Sequence, residues 1–266
     1  MKIIHLSDPH IYTDKINGID SVDRFKKALA HIIQHHRDAV LFSITGDIAD
    51  LGDKDSYELF INIINDFDLP NNLEPQLIIG NHDNREIFKE HFPSIKVDEK
   101  GYIQYFKDSE NKRFIFIDTN LANTDEGHYC EERQEWLKNT LNQTPNDYDI
   151  FIFMHHNPLA LVKDRSDGIG LQQKDAFKKI LLDSNKNIKH IFFGHQHITS
   201  SGSFNGITFS SPRSTWRPLI SNFSNKYRLG TANTDPNYNI AIINNESFII
   251  HTEDFLKTSM NWFTKE

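Results

Sequence analysis

Short apolar runs recur along the chain, each closed by a polar turn. Ile3-Ile4-His5-Leu6, Val40-Leu41-Phe42-Ser43-Ile44, Gln76-Leu77-Ile78-Ile79, Phe114-Ile115-Phe116-Ile117, Ile150-Phe151-Ile152-Phe153 and His190-Ile191-Phe192-Phe193 are rich in β-branched and aromatic residues. They are near-continuously apolar instead of alternating, which predicts strands covered on both faces. Between them, apolar positions fall at helical spacing. Val22, Phe25, Leu29, Ile32, Ile33 and His36 follow the 3.6-residue period, with Asp20 or Ser21 as N-cap. Tyr57, Phe60, Ile61, Ile64 and Phe67 make a second stripe, Trp136, Leu137 and Leu141 a third, and Phe177, Ile180 and Leu181 a fourth. A further helix is expected over 84–91. Strand–helix alternation of this kind predicts an α/β sandwich.

The last third reads differently. Segments around Gly202-Ser203-Phe204 and Ile207-Thr208-Phe209 flank Asn205-Gly206, a strong hairpin signal. Asn239–Ile243 and Ser247–Ile250 flank Asn244-Asn245-Glu246 and predict a second hairpin. The Ser-, Asn- and Thr-rich stretch 221–236 reads as a long loop, and such loops often serve as lids or binding loops. With 266 residues and no low-complexity linker, one domain spanning 1–266 is expected. The hairpins and loop of 198–255 would then shape a substrate pocket or an oligomer contact.

The charge balance narrows the partners. Net charge is −8, from 37 acidic and 29 basic residues, so the broad basic surface that tracks a nucleic-acid duplex is not expected. A small phosphate compound is still compatible, because bound metal ions invert the local charge of an acidic site. The single cysteine, Cys130, cannot form an intrachain disulfide, and its acidic neighbours Glu131 and Glu132 are expected to raise its thiol pKa. No apolar run approaches the length of a membrane span. The chain therefore reads as cytoplasmic, with no membrane partner.

Five polar clusters each follow one of the apolar runs. They are Asp8-Pro9-His10, Gly46-Asp47-Ile48-Ala49-Asp50, Gly80-Asn81-His82-Asp83, His155-His156-Asn157-Pro158 and Gly194-His195-Gln196-His197. Ligands of open α/β sheets bind outside the carboxyl ends of the strands, so these side chains can share one crevice. Carboxylate and imidazole donors suit iron, manganese, zinc or cobalt. Two such ions clamp a phosphoryl group and generate a hydroxide nucleophile at neutral pH, and Asp47 is the natural bridging carboxylate. Taken singly, each cluster also reads as a turn, a cap or a surface pair. Their joint occurrence at strand ends is what points to a metal centre. His31 and His35, four apart on the first helix, lack carboxylate company and read as a solvated face.

As a set, the clusters resemble the calcineurin-like metallophosphoesterase superfamily, whose pattern is Asp-x-His, Gly-Asp, Gly-Asn-His-Asp, His and Gly-His-x-His. The resemblance implies a four-layer α/β/β/α sandwich and a dinuclear centre, with iron and manganese favoured. It assigns Asp8, His10, Asp47 and His197 to one metal, and Asp47, Asn81, His155 and His195 to the other. His155 is preferred to His156 because the first histidine of the pair is the family ligand. Asp47 and His82 are the implied catalytic residues, with His82 donating a proton to the leaving oxygen. Ile4-His5-Leu6-Ser7-Asp8-Pro9-His10, Gly80-Asn81-His82-Asp83-Asn84-Arg85, Phe153-Met154-His155-His156-Asn157-Pro158 and Thr234-Asp235-Pro236-Asn237-Tyr238 are most similar to class III cyclic-nucleotide phosphodiesterases and glycerophosphodiesterases. One departure is Asn157, where relatives usually carry a second proline.

The implied reaction is in-line attack on a small phosphodiester, a cyclic nucleotide or a glycerophosphodiester, by a hydroxide formed at the metals. Asn81 and His82 would contact the substrate. In Pro212-Arg213-Ser214-Thr215-Trp216-Arg217, Trp216 could stack on a base or sugar and Arg213 or Arg217 could meet phosphate oxygens. The competing readings are a phosphomonoesterase, a DNA nuclease of the same superfamily, and a non-catalytic scaffold. A homo-oligomer is compatible with the late hairpins.

Overall fold

The computed structural model describes residues 1–15, 17–161, 165–223, 229–231 and 234–256. The elements in chain order are β1 (Lys2–Leu6), α1 (Ser21–His35), β2 (Leu41–Thr45), α2 (Lys54–Asp66), β3 (Pro75–Ile78), α3 (Arg85–His91), β4 (Tyr105–Ser109), β5 (Lys112–Phe116), α4 (Glu131–Gln143) and β6 (Asp149–Phe153). They continue with α5 (Arg165–Gly168), α6 (Lys174–Asp183), β7 (Asn187–Phe192), β8 (Ser200–Phe204), β9 (Ile207–Ser211), β10 (Leu219–Ser221), β11 (Leu229–Thr231), β12 (Asn237–Ile243) and β13 (Phe248–Asp254). One sheet has the order β13-β12-β1-β2-β3 and the other β4-β5-β6-β7-β9-β8.

Alternation within the apolar strands explains how the layers stack. Phe114, Phe116, Phe151, Phe153 and Phe192 share one core with the first sheet and with α1 to α3. Their neighbours Ile115, Ile150, Ile152, Ile191 and Phe193 share the other core with Leu137 of α4 and Phe177 of α6. Each strand thus feeds two cores, as its unbroken hydrophobicity predicts. The result is an α/β/β/α sandwich.

Local signals fix the helix starts. Asp20 caps α1, its side chain accepting from Asp23 N at 2.9 Å. Asp53 caps α2 by accepting from Ser56 N at 2.8 Å, and Asn84 caps α3. These caps satisfy backbone donors that a helix leaves unpaired. Asn205 and Gly206 have φ of 49° and 85°, the left-handed pair that joins β8 to β9.

One reading needs correction. The stretch 221–236 is not all loop, because β10 and β11 pair antiparallel with Leu219 opposite Thr231. Positions 224–228 and 232–233 of that stretch lie outside the described residues, as does 257–266 of the expected single domain. The two late hairpins also part company. The β8–β9 hairpin extends the second sheet beside β7, whereas β12–β13 joins the first sheet beside β1.

Close packing of the sheet ends imposes one small residue. A Cβ on Gly194 would overlap Ser7 Oγ and lie 2.7 Å from Asp8 Oδ2. Gly194→Ala is expected to cost about 1–3 kcal/mol through overpacking. Urea denaturation checks this, and an unchanged midpoint would show that the two strand ends can part freely.

Candidate metal centre

The chain leaves β1, β2, β3, β6 and β7 at adjoining carboxyl ends, and each exit carries one of the five polar clusters. The backbone there is unusual. Asp8, His10, Asp47, His195 and His197 have φ of 54°, 45°, 49°, 68° and 55°. Left-handed backbone costs a non-glycine residue about 1–3 kcal/mol where the surroundings hold it. Here it gathers on residues carrying acidic or imidazole side chains, as expected where the fold presets a binding geometry.

Those side chains converge. Asp8, His10, Asp47 and His197 are all buried and place their donor atoms within 4.8 Å of one another. His10 Nε2 lies 3.1 Å from His197 Nε2 and 3.4 Å from Asp47 Oδ2, and His197 Nε2 lies 3.5 Å from Asp8 Oδ1. On the other side of Asp47, His155 Nε2 is 3.4 Å from Asp47 Oδ1 and 3.0 Å from Asn81 Oδ1. His195 Nδ1 is 2.8 Å from the same amide oxygen. Asp47 thus faces both groups, one oxygen to each.

The tautomers decide what this arrangement can hold. His10 Nδ1 donates to Asp50 Oδ1 at 3.0 Å, His197 Nδ1 to the Arg217 carbonyl at 2.9 Å, and His155 Nδ1 to the Thr45 carbonyl at 2.7 Å. With those protons spent on acceptors, loss of any further proton leaves the three Nε2 lone pairs facing carboxylate and amide oxygens, the state in which they could bind metal. Buried lone pairs facing one another repel unless a cation sits between them. The donor set therefore fits two metal ions.

Without cations, proton charge on the imidazoles balances the buried carboxylates. Burial raises the Asp47 carboxyl, but His155, His82 and His10 outweigh it and hold its pKa well below the ordinary value. Asp8 is likewise raised by burial yet held to about 2, chiefly by His197. For His155, burial lowers the pKa and Asp47 more than reverses it, to about 9. Burial takes His195 down to about 3.

His82 sits at the exposed rim. Its backbone N–H donates to Asp47 Oδ1 at 2.9 Å, and its Nδ1 donates to the Asp50 carbonyl at 2.7 Å. Burial lowers its pKa, whereas Asp47 and Asp50 raise it to a net upward shift. Cations held by Asp47 would weaken that support.

His156 stands beside the second group, with a ring nitrogen within 4.8 Å of those of His155 and His195, and the other candidates lie behind the cluster or outside it. His156 Nδ1 pairs with Thr119 Oγ1 at 2.7 Å, and its Nε2 has no hydrogen-bond partner among the described residues. Trp216 is buried, its ring centroid 4.8 Å from that of His10, so it backs a ligand instead of presenting an open stacking face. Arg213 binds Asp254 at 2.8 Å and Thr234 at 2.5 Å. The guanidinium of Arg217 lies 4.6 Å over the Trp216 ring. Asn157 takes up the contact that a proline would lack, accepting from Gln196 Nε2 at 2.8 Å and tying the His155 loop to the His195 loop. The expectation for Cys130 is overturned. Burial raises the thiol pKa, but hydrogen bonding with Arg133 and Tyr102 brings it below the ordinary value.

Several supporting residues carry no role in the sequence reading. Asp50 holds His10 and, through its carbonyl, His82. Asp83 accepts from Ile48 N, Ala49 N, Gly80 N and Tyr57 OH, pinning the Asp47 loop to the Asn81 loop. Asn120 donates to the Gly80 and Asp83 carbonyls. Asp50 and Asp83 stand inside the recognised clusters, so an unspent carboxylate near a ligand was the available signal. Nothing local marks Asn120, which acts across sheets.

Comparison with known proteins gives the family. Residues 1–199 match the calcineurin-like phosphoesterase family, and the chain belongs to it. It is 28% identical over 260 residues to a Rhodopseudomonas palustris protein named a probable cyclic nucleotide phosphodiesterase, covering 96% of this chain and 93% of that one. It is 27% identical over 206 residues to the glycerophosphodiester phosphodiesterase of Enterobacter lignolyticus, covering 74% and 71%. Among solved structures, a dimetal phosphatase from Danio rerio superposes with a TM-score of 0.72 at 11% identity, covering 96% of each chain. The chain is accordingly a metal-dependent phosphoesterase. Among the described residues no helix is long and apolar enough to cross a membrane.

Proposed function

We propose that the chain hydrolyses a small organic phosphodiester, either a cyclic nucleotide or a glycerophosphodiester. The observation that carries this reading is the double donor set that shares Asp47. Asp8, His10, Asp47 and His197 would hold one ion, and Asp47, Asn81, His155 and His195 the other. Two ions so held would clamp phosphoryl oxygens and lower the pKa of water. The chain's own groups then have separate tasks. Asn81 Nδ2 can donate to a phosphate oxygen while its Oδ1 faces the ligand cluster. His82 is held by its backbone bond to Asp47 and its Nδ1 bond to the Asp50 carbonyl, and its Nε2 would give a proton to the departing alkoxide.

A groove of about 970 Å³ supports an organic substituent on the phosphate. It is lined by Ile198, the residue after His197, and by Arg213, Leu219 and Phe223. That volume is at the upper end of small-ligand sites. We take the β8 to β13 region as part of the same domain, forming this wall. The test is phosphate-ester turnover by the manganese-loaded protein on adenosine 3′,5′-cyclic monophosphate, glycerophosphoethanolamine and the corresponding monoesters. Either diester turned over faster than its monoester supports the proposal. Faster turnover of the monoesters would move the assignment to a phosphatase.

A further inference from the structure

A second group of metal-type side chains joins the last turns of α1 and the residue after it to β13, and it shares no residue with the ligand cluster. His31 and His36 there face Glu253 of β13, a residue 217 positions beyond His36. His36 Nε2 is 3.1 Å from Glu253 Oε2, and His31 Nε2 is 3.7 Å from Glu253 Oε1. The donor atoms all lie within 4.8 Å of one another. Ligand atoms around a tetrahedral zinc ion are separated by about 3.4 Å, given bonds of about 2.0–2.2 Å. The observed spacings bracket that value. The first-helix histidines thus have the carboxylate company that the sequence did not reveal, and the partner of His31 is His36, not His35.

Strand pairing sets up this arrangement. Tyr238 of β12 is the register partner of Glu253 in the antiparallel β12–β13 ladder. Its hydroxyl lies 2.8 Å from His31 Nδ1, occupying that nitrogen and leaving Nε2 toward the carboxylate. A hydrogen bond to the far ring nitrogen is the usual support of a metal-bound histidine. Burial lowers the pKa of both His31 and His36 despite the upward pull of Glu253, which favours the neutral form that binds metal. Lys2, the nearby positive charge, is engaged by Asp38 at 2.6 Å. Side-chain exposures of 15%, 10% and 32% for His31, His36 and Glu253 leave a path for an ion from solvent.

We propose that His31, His36 and Glu253 form a separate divalent-metal site, of the two-histidine, one-carboxylate type that takes zinc or cobalt. Solvent completes its coordination. An ion there clips the end of α1 to β13, the edge strand of the first sheet. Its role is to fasten that edge, independently of hydrolysis.

The experiment is zinc content per chain after saturation with Zn²⁺ and dialysis, measured by elemental mass spectrometry. The wild-type protein is expected to carry one more zinc than His31→Ala/His36→Ala and one more than Glu253→Gln, which keeps the shape of the side chain. His35→Ala is expected to retain it. The same one-zinc difference is expected in an Asp47→Ala background, so the result stands apart from the fate of the first centre. Hydrolysis is expected to be equal in wild type and Glu253→Gln, whereas the upward thermal shift on adding zinc is expected to shrink in that variant. Equal zinc content in wild type and Glu253→Gln would overturn the proposal and leave a hydrogen-bonded triad.

Discussion

Asp47→Ala is expected to release both metal ions and to lower phosphodiester turnover by about a thousandfold or more. Asp47 offers Oδ2 to His10 and Oδ1 to His155, so its loss removes a donor from both halves at once. It also removes the acceptor for the His82 N–H. What remains is a buried set of imidazoles with Asp8 alone to balance cations on its side. The fold should survive, since Asp83 independently fastens the surrounding backbone through Ile48 and Ala49. Elemental analysis beside kinetics checks the prediction. A variant that kept two ions and its activity would remove Asp47 from the bridging position. The melting temperature of the wild type should fall on chelation, because ions that bind only the folded chain stabilise it, and the variant should already lie near that lower value.

His82→Ala is expected to behave differently, losing turnover by roughly 10²–10⁴-fold while retaining its metals. Its ring packs edge-on against His10, centroids 4.6 Å apart, and its Nδ1 is spent on the Asp50 carbonyl instead of on the donor set around Asp47. The leaving group separates a proton donor from a structural residue. An alkoxide needs a proton as it departs, whereas p-nitrophenolate is stable without one. The loss should therefore be large on a glycerophosphodiester and small on bis(p-nitrophenyl) phosphate. Equal losses on both substrates, or lost metal, would make His82 a positioning residue.

The two predictions rest on residues that were legible in the sequence for a physical reason. Strands covered on both faces have no polar alternation, so their ends stand out where Asp8, Gly46, Gly80, His155 and Gly194 interrupt the apolar runs. The cap at Asp20 and the turn at Asn205-Gly206 are likewise local, set by side-chain-to-backbone bonding and by left-handed backbone. The short strand β4 was not anticipated. It lies at a sheet edge with only Tyr105 fully buried along its length, so its hydrophobic signal is weak. Pairing of β12 with β1, across almost the whole chain, has no local signature at all. The same limit hid Glu253 from His36, and hid Asn120 from the Gly80 loop. Tautomers were out of reach too, since the acceptors that fix His155 and His197 are backbone carbonyls of Thr45 and Arg217.

We propose that the donor set sharing Asp47 makes this chain a metal-dependent phosphodiesterase. That assignment is tested most directly by stripping the protein of metal, then adding manganese, and following hydrolysis of bis(p-nitrophenyl) phosphate beside p-nitrophenyl phosphate. The expected result is no turnover without metal, and restored turnover that favours the diester as two ions per chain are taken up. Undiminished hydrolysis by the metal-free protein, or two bound ions with neither ester cleaved, would contradict it.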